Sequence, residues 1–141
     1  MALSWQFWAL LAAAFAALTA IFGKIGVAGL QSDYATFLRT IVILVMTAAI
    51  VTFGGHWRSP AEVPGRALVF LILSGLATGA SWLCYFRALQ IGQASQVAPV
   101  DKLSVVLVAL FGGAFLGERL SFQNWTGVAL IAAGTILVAW R

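Results

Sequence analysis

The chain has 141 residues, 62% of them hydrophobic and 9% charged, with a net charge of +4 and a mean hydropathy of +1.02. A soluble domain carries roughly 25% charged residues, and a chain this poor in charge cannot wrap one small core in a wettable surface, so a soluble globular domain is excluded and lipid becomes the expected solvent. The eight Lys and Arg are scattered between apolar runs, which argues against a nucleic-acid patch and for the flanking cations of membrane spans.

Five apolar segments are expected, over about 5–22, 34–53, 67–86, 95–116 and 122–140. Each approaches the ~20 residues that cross a ~30 Å hydrocarbon core. In lipid the backbone can bond only within the segment, so each must be helical. The expected fold is therefore all-α: an integral membrane bundle of five transmembrane helices, one domain over residues 1–141.

The first segment is uncharged up to Gly23-Lys24. Ala12-x-Ala14 resembles a signal cleavage site, but no Lys or Arg precedes it and four similar runs follow, so it reads as a span. Its alanines (Ala9, Ala13, Ala16, Ala17, Ala20) recur at helical spacing and suit close helix packing. The second segment opens at Ser32-Asp33 and carries Arg39 about two turns in. Ser59-Pro60-Ala61-Glu62 reads as a capping box with Pro at the first helical position, and Pro64-Gly65 ends that turn.

The third segment holds Gly75-x-x-x-Gly79, expected to serve ordinary helix packing rather than a dimer contact. It also places Thr78, Trp82 and Tyr85 at i, i+4 and i+7, on one face. Such a stripe is either aromatic packing or the lining of a solute cavity. The fourth segment contains Pro99, expected to bend it, then Asp101-Lys102, and later Gly112-Gly113, a second place for a bend. Gly117 suits a helix C-terminus and Ser121 an N-cap, so segments four and five form a tight hairpin. Gly127 and Gly134 share one face of the fifth segment. Trp5, Trp8, Trp57, Trp125 and Trp140 fall near segment ends, where an aromatic belt places them; Trp82 does not.

Alternate crossing puts Lys24, Asp33, Arg87 and Arg141 on one side, and His56, Arg58, Glu62, Arg66, Glu118 and Arg119 on the other. Lys and Arg outside the spans are balanced, three against three, so positive-inside bias gives almost no orientation. Such balance permits insertion both ways and an antiparallel homodimer. Arg39, Asp101 and Lys102 are embedded, at a cost of ~2.5–3.5 kcal/mol each at a helix centre. All three enter from one side, which Lys24 and Arg87 flank. They form either a cationic solute vestibule or a structural ion pair of Asp101 with Arg87, Lys102 or Arg39, with snorkelling of the basic side chains.

Catalytic chemistry finds no foothold. Cys84 is the lone cysteine, His56 the lone histidine, and no Ser/His/Asp, Cys/His or CxxC set exists. No enzyme activity, metal or cofactor is expected.

The stretch Phe115-Leu116-Gly117-Glu118-Arg119-Leu120-Ser121 through Trp125-Thr126-Gly127-Val128-Ala129-Leu130-Ile131-Ala132-Ala133-Gly134 resembles the closing signature of the EamA domain of the drug/metabolite transporter superfamily. Phe37-Leu38-Arg39-Thr40, Tyr85-Phe86-Arg87-Ala88-Leu89 and Val97-Ala98-Pro99 also look like family positions, so the resemblance spans the whole chain. It implies half of a ten-helix inverted-repeat transporter in a bacterial inner membrane, moving a small polar or amphipathic metabolite by alternating access. Relatives carry two such repeats, so it also implies pairing of two copies, antiparallel in one arrangement. On this reading Arg39, Thr78, Trp82, Tyr85, Arg87, Asp101 and Lys102 line the pathway, and Glu118-Arg119 hold the hairpin. Two alternatives stay open: a non-transporting partner subunit, and a proton-coupled drug exporter like the small multidrug exporters. The latter carry a membrane acid in their first helix, which this chain lacks unless Asp101 takes that role.

Overall fold

The computed structural model describes residues 4–140; Arg141, counted above among the cations of one side, lies outside them. The elements are α1 (Trp5–Gly26), α2 (Ser32–Phe53), a 3-10 turn (Pro60–Glu62), α3 (Gly65–Ile91), α4 (Ala94–Asp101), α5 (Ser104–Phe115) and α6 (Phe122–Ala139), with no strand among the described residues. With α4 and α5 counted as one run, Ala94–Phe115, there are five helices long and apolar enough to cross a membrane. Their outer surface is apolar: Phe53, Phe122 and Trp140 are 92%, 87% and 80% exposed. Such a surface is stable only against lipid or another apolar helix. The chain is a multi-pass integral membrane protein.

Two compact units emerge, Gly23–Gln90 and the residues up to Phe22 together with those from Ile91 onward. In the first unit the core gathers where the end of α1, the start of α2 and the end of α3 meet. Val27, Ala35, Phe86 and Leu89 are buried there with Ser32 and Thr36. Gly23 admits the close approach, since an added Cβ would lie 3.2 Å from Leu89 Cδ1 and 3.4 Å from Phe86 Cζ. This packing explains why two helices outrun their expected ends. α1 continues through Lys24 to Gly26, and α3 runs to Ile91 because Phe86 and Leu89 have a core to enter. Gly29, at φ +77°, reverses the chain between α1 and α2.

The turn at Ser59 forms as expected, though its hydroxyl accepts from Ala61 N–H at 3.4 Å. Gly75 and Gly79 stand on α3 within the unit Gly23–Gln90. An added Cβ at either meets nothing within 4 Å among the described residues.

In the second unit α6 packs against α4 and α5. Ser121 caps α6 by accepting from Asn124 N–H at 3.2 Å, and Gly117, at φ +68°, turns the chain out of α5. The fourth segment breaks at Lys102-Leu103, three residues after Pro99. There Lys102 N–H bonds Pro99 O and Leu103 N–H bonds Val100 O, at 2.9 and 3.0 Å, both i to i−3. Pro99 has no N–H to give the Ser95 carbonyl, and the chain tightens into a 3-10 turn downstream. Gly112-Gly113 make no second break; α5 runs through them. Gly112 instead makes room for Glu118, whose Oε2 lies 2.7 Å from where a Cβ would stand. Glu118 N–H bonds Gly112 O at 3.1 Å.

Candidate functional site

Arg39 stands seven residues beyond Ser32, ~10 Å along α2 at 1.5 Å per residue. Ser32, Ala35 and Thr36 form the buried face of α2, and Arg39 continues it at i+3 and i+4. Thr36 and Thr40 turn their hydroxyls back onto the carbonyls of Ser32 and Thr36, both at 2.8 Å. They satisfy themselves within the helix and leave the arginine as its reaching group.

Two aromatic side chains of α3 meet that arginine. Its Cζ lies 4.0 Å from the centroid of the Trp82 ring and 5.2 Å from that of Phe86. Tyr85 interacts with it electrostatically. Residues 82, 85 and 86 stand at i, i+3 and i+4, so one face of α3 supplies the whole aromatic box. Phe86 is 3% exposed and fixed by the core below it. A guanidinium over rings gains about 0.5–2 kcal/mol, more as the site is desolvated, against a cost of ~2.5–3.5 kcal/mol for an arginine at a helix centre. The rings do not cancel the charge. Among the described residues the single ion pair is Lys102 with Asp101, at 3.2 Å, so neither acid of the unit Gly23–Gln90 pairs with Arg39.

The other expected residues of this unit are placed differently. Lys24 Nζ donates to Leu89 O at 2.6 Å, a cation on the negative end of α3. Arg87 Nη1 donates to Gln90 Oε1 and Gln90 Nε2 to Leu30 O, both at 2.8 Å. Lys24 thus ties the end of α1, and Gln90 the α1–α2 loop, to the end of α3, with Arg87 bonded to Gln90. Thr78 is exposed and donates to Ser74 O at 2.8 Å; it stands apart from the aromatic box, and Phe86 completes the box instead.

In the second unit Asp101 and Lys102 sit at the break between α4 and α5. Neighbouring side chains on an unbroken helix diverge by about 100°. Here α4 ends at Asp101, and the two meet. Beside them Val100 and Leu103 line a cleft of about 430 Å³ with Thr135, Ile136, Ala139 and Trp140. The break therefore joins a charged pair to an apolar hollow within one unit.

The profile of the EamA-like transporter family matches residues 3–140. A Sinorhizobium sp protein named "Uncharacterized transporter in cobO 3'region" is 65% identical over 139 residues, 99% of both chains. A Vibrio cholerae protein named as an uncharacterized transporter is 30% identical over 98 residues, 68% of this chain but 32% of its own length. A Yersinia pestis protein named as the probable 4-amino-4-deoxy-L-arabinose-phosphoundecaprenol flippase subunit ArnE is 32% identical over 86 residues, 60% of this chain and 75% of its own. No solved structure matches.

Proposed function

The chain belongs to the EamA-like transporter family, and from that premise we propose that it is a secondary transporter of a small polar or amphipathic metabolite, working by alternating access as a homodimer in the bacterial inner membrane. The observation that carries this reading is the aromatic-boxed Arg39, an expensive cation held inside an apolar span by Trp82 and Phe86. Such a residue is by default part of a solute or ion path. The break at Lys102-Leu103 supplies a hinge of the kind that discontinuous transporter helices use. Asp101 is the acid positioned to couple or contact solute there.

Pairing draws on the small residues of α3. Gly75 and Gly79 present open space on α3, a face on which a second helix can approach closely. The Vibrio cholerae relative, in which the match covers 32% of the length, is consistent with a pathway that takes more than one five-helix set.

Purified protein reconstituted alone in proteoliposomes and screened against polar and amphipathic metabolites tests the reading. Solute should move unaided, and Asp101→Asn should lose most of the flux. Full flux by Asp101→Asn removes the acid from the mechanism. A second reading draws on the relative named as a flippase subunit: the chain serves as one subunit beside a different protein. In that case it moves nothing alone and regains transport only on co-reconstitution.

A further inference from the structure

We propose that the Arg39 box is a receptor for an oxyanion, the phosphate or carboxylate of an amphipathic or soluble solute. Calling that ligand the transported solute rests on the transporter reading; the binding itself does not.

An arginine inside a span has three ways to settle its charge. It can snorkel to the interface, pair with an acid, or host an anionic ligand. Snorkelling stretches the side chain away from its neighbours, whereas Arg39 is drawn to 4.0 Å from Trp82 and 5.2 Å from Phe86. Its ion pair is missing as well. In the unit Gly23–Gln90 the acids are Asp33 and Glu62, and neither forms a salt bridge to it. Asp33 instead accepts from Ser32 Oγ at 3.1 Å. Within its unit the cation is thus positioned without a carboxylate partner.

The way it is positioned selects the ligand. Rings engage the face of a guanidinium, and its N–H groups lie in the perpendicular plane, where they form a fork that matches two oxygens of one carboxylate or phosphate. Aromatic walls held by a buried Phe86 keep the fork from collapsing when empty and provide an apolar bed for whatever carries the anion. A cationic ligand is repelled by the same arrangement. Lys24, Arg87 and Gln90 of the same unit bond instead at the end of α3 and to the loop before α2.

The test is binding to the whole protein in detergent. Sodium phosphate, sodium acetate and dioctanoyl phosphatidic acid are titrated against chloride at matched ionic strength, following thermal unfolding. The expected result is a saturable stabilisation by at least one of them in the wild type, weakened about 10- to 100-fold in Arg39→Gln, the loss of a charge-assisted hydrogen-bond pair. Arg39→Lys, which keeps the charge but loses the fork and the stacking, should fall between. A response to phosphatidic acid alone identifies a lipid phosphate; a response to phosphate or acetate identifies a soluble anion. No saturable effect beyond chloride in the wild type overturns the proposal, whatever the folding of the variants. So does equal binding by folded Arg39→Gln, checked by size exclusion. Binding that depends on Arg39 without transport in proteoliposomes upholds the anion site and removes the transporter reading.

Discussion

Gly23 is the point where α1 touches the floor of the aromatic box, which makes Gly23→Ala the sharpest probe of this fold. The new Cβ would lie 3.2 Å from Leu89 Cδ1 and 3.4 Å from Phe86 Cζ. Those side chains are 0% and 3% exposed, so neither can swing aside, and overpacking of this kind costs about 1–3 kcal/mol. Against it stands the gain of Ala over Gly inside a helix, about 1 kcal/mol. Gly26→Ala in the same helix isolates that gain, because nothing lies within 4 Å of its added Cβ. The prediction is therefore a difference: Gly23→Ala should be less stable than Gly26→Ala by about 1–3 kcal/mol. Unfolding by SDS in mixed micelles, followed by tryptophan emission, measures it. Leu89→Val removes the atom at 3.2 Å and should relieve part of the cost in a double-mutant cycle. Equal stability of the two glycine variants, or strict additivity with Leu89→Val, would refute the close approach of α1 to α3.

Three further outcomes are expected in the same assays. Lys24→Met removes the ammonium from Leu89 O and should cost about 1.5–3 kcal/mol, with Lys24→Arg losing less. Gly117→Ala forces a Cβ into the left-handed region at φ +68° and should cost about 1–2 kcal/mol, whereas Gly127→Ala, with open space around it, should be neutral or stabilising. Pro99→Ala returns an N–H to the Ser95 carbonyl and should stabilise α4 by up to about 3 kcal/mol while lowering flux in proteoliposomes; unchanged flux would remove the missing Pro99–Ser95 bond from the transport cycle.

The spans were legible because lipid imposes one rule on every stretch: enough apolar residues to cross, and a helical backbone. The hairpin was legible because Ser121 and Gly117 are residue types chosen by cap geometry itself. Arg39 stood out through its cost, and Trp82 with Tyr85 through helical spacing. Phe86 did not, because one more aromatic ring in an apolar run carries no signal until its partner is known. Lys24 gave no hint of its target, since the carbonyl it caps lies 65 residues away in the chain. Pro99 announced a bend but not its site: the missing N–H disturbs the turn behind it, and the ladder changes register only at Lys102 and Leu103.

The distribution of charge between the units carries the last step. Residues Gly23–Gln90 hold five basic side chains, Lys24, Arg39, Arg58, Arg66 and Arg87, against the acids Asp33 and Glu62. The embedded acid, Asp101, belongs to the other unit and is joined to Lys102. A cation that is boxed but not neutralised favours an anion from outside the unit whenever one is offered, because attraction across a dry site is many times stronger than in water. On the proposed anion site a phosphate- or carboxylate-bearing solute would meet that demand, and the stabilisation it gained there would be lost when water reached the guanidinium. Exposure of the box to one side and then the other would therefore alternate capture with release, which is what a transporter requires of its site.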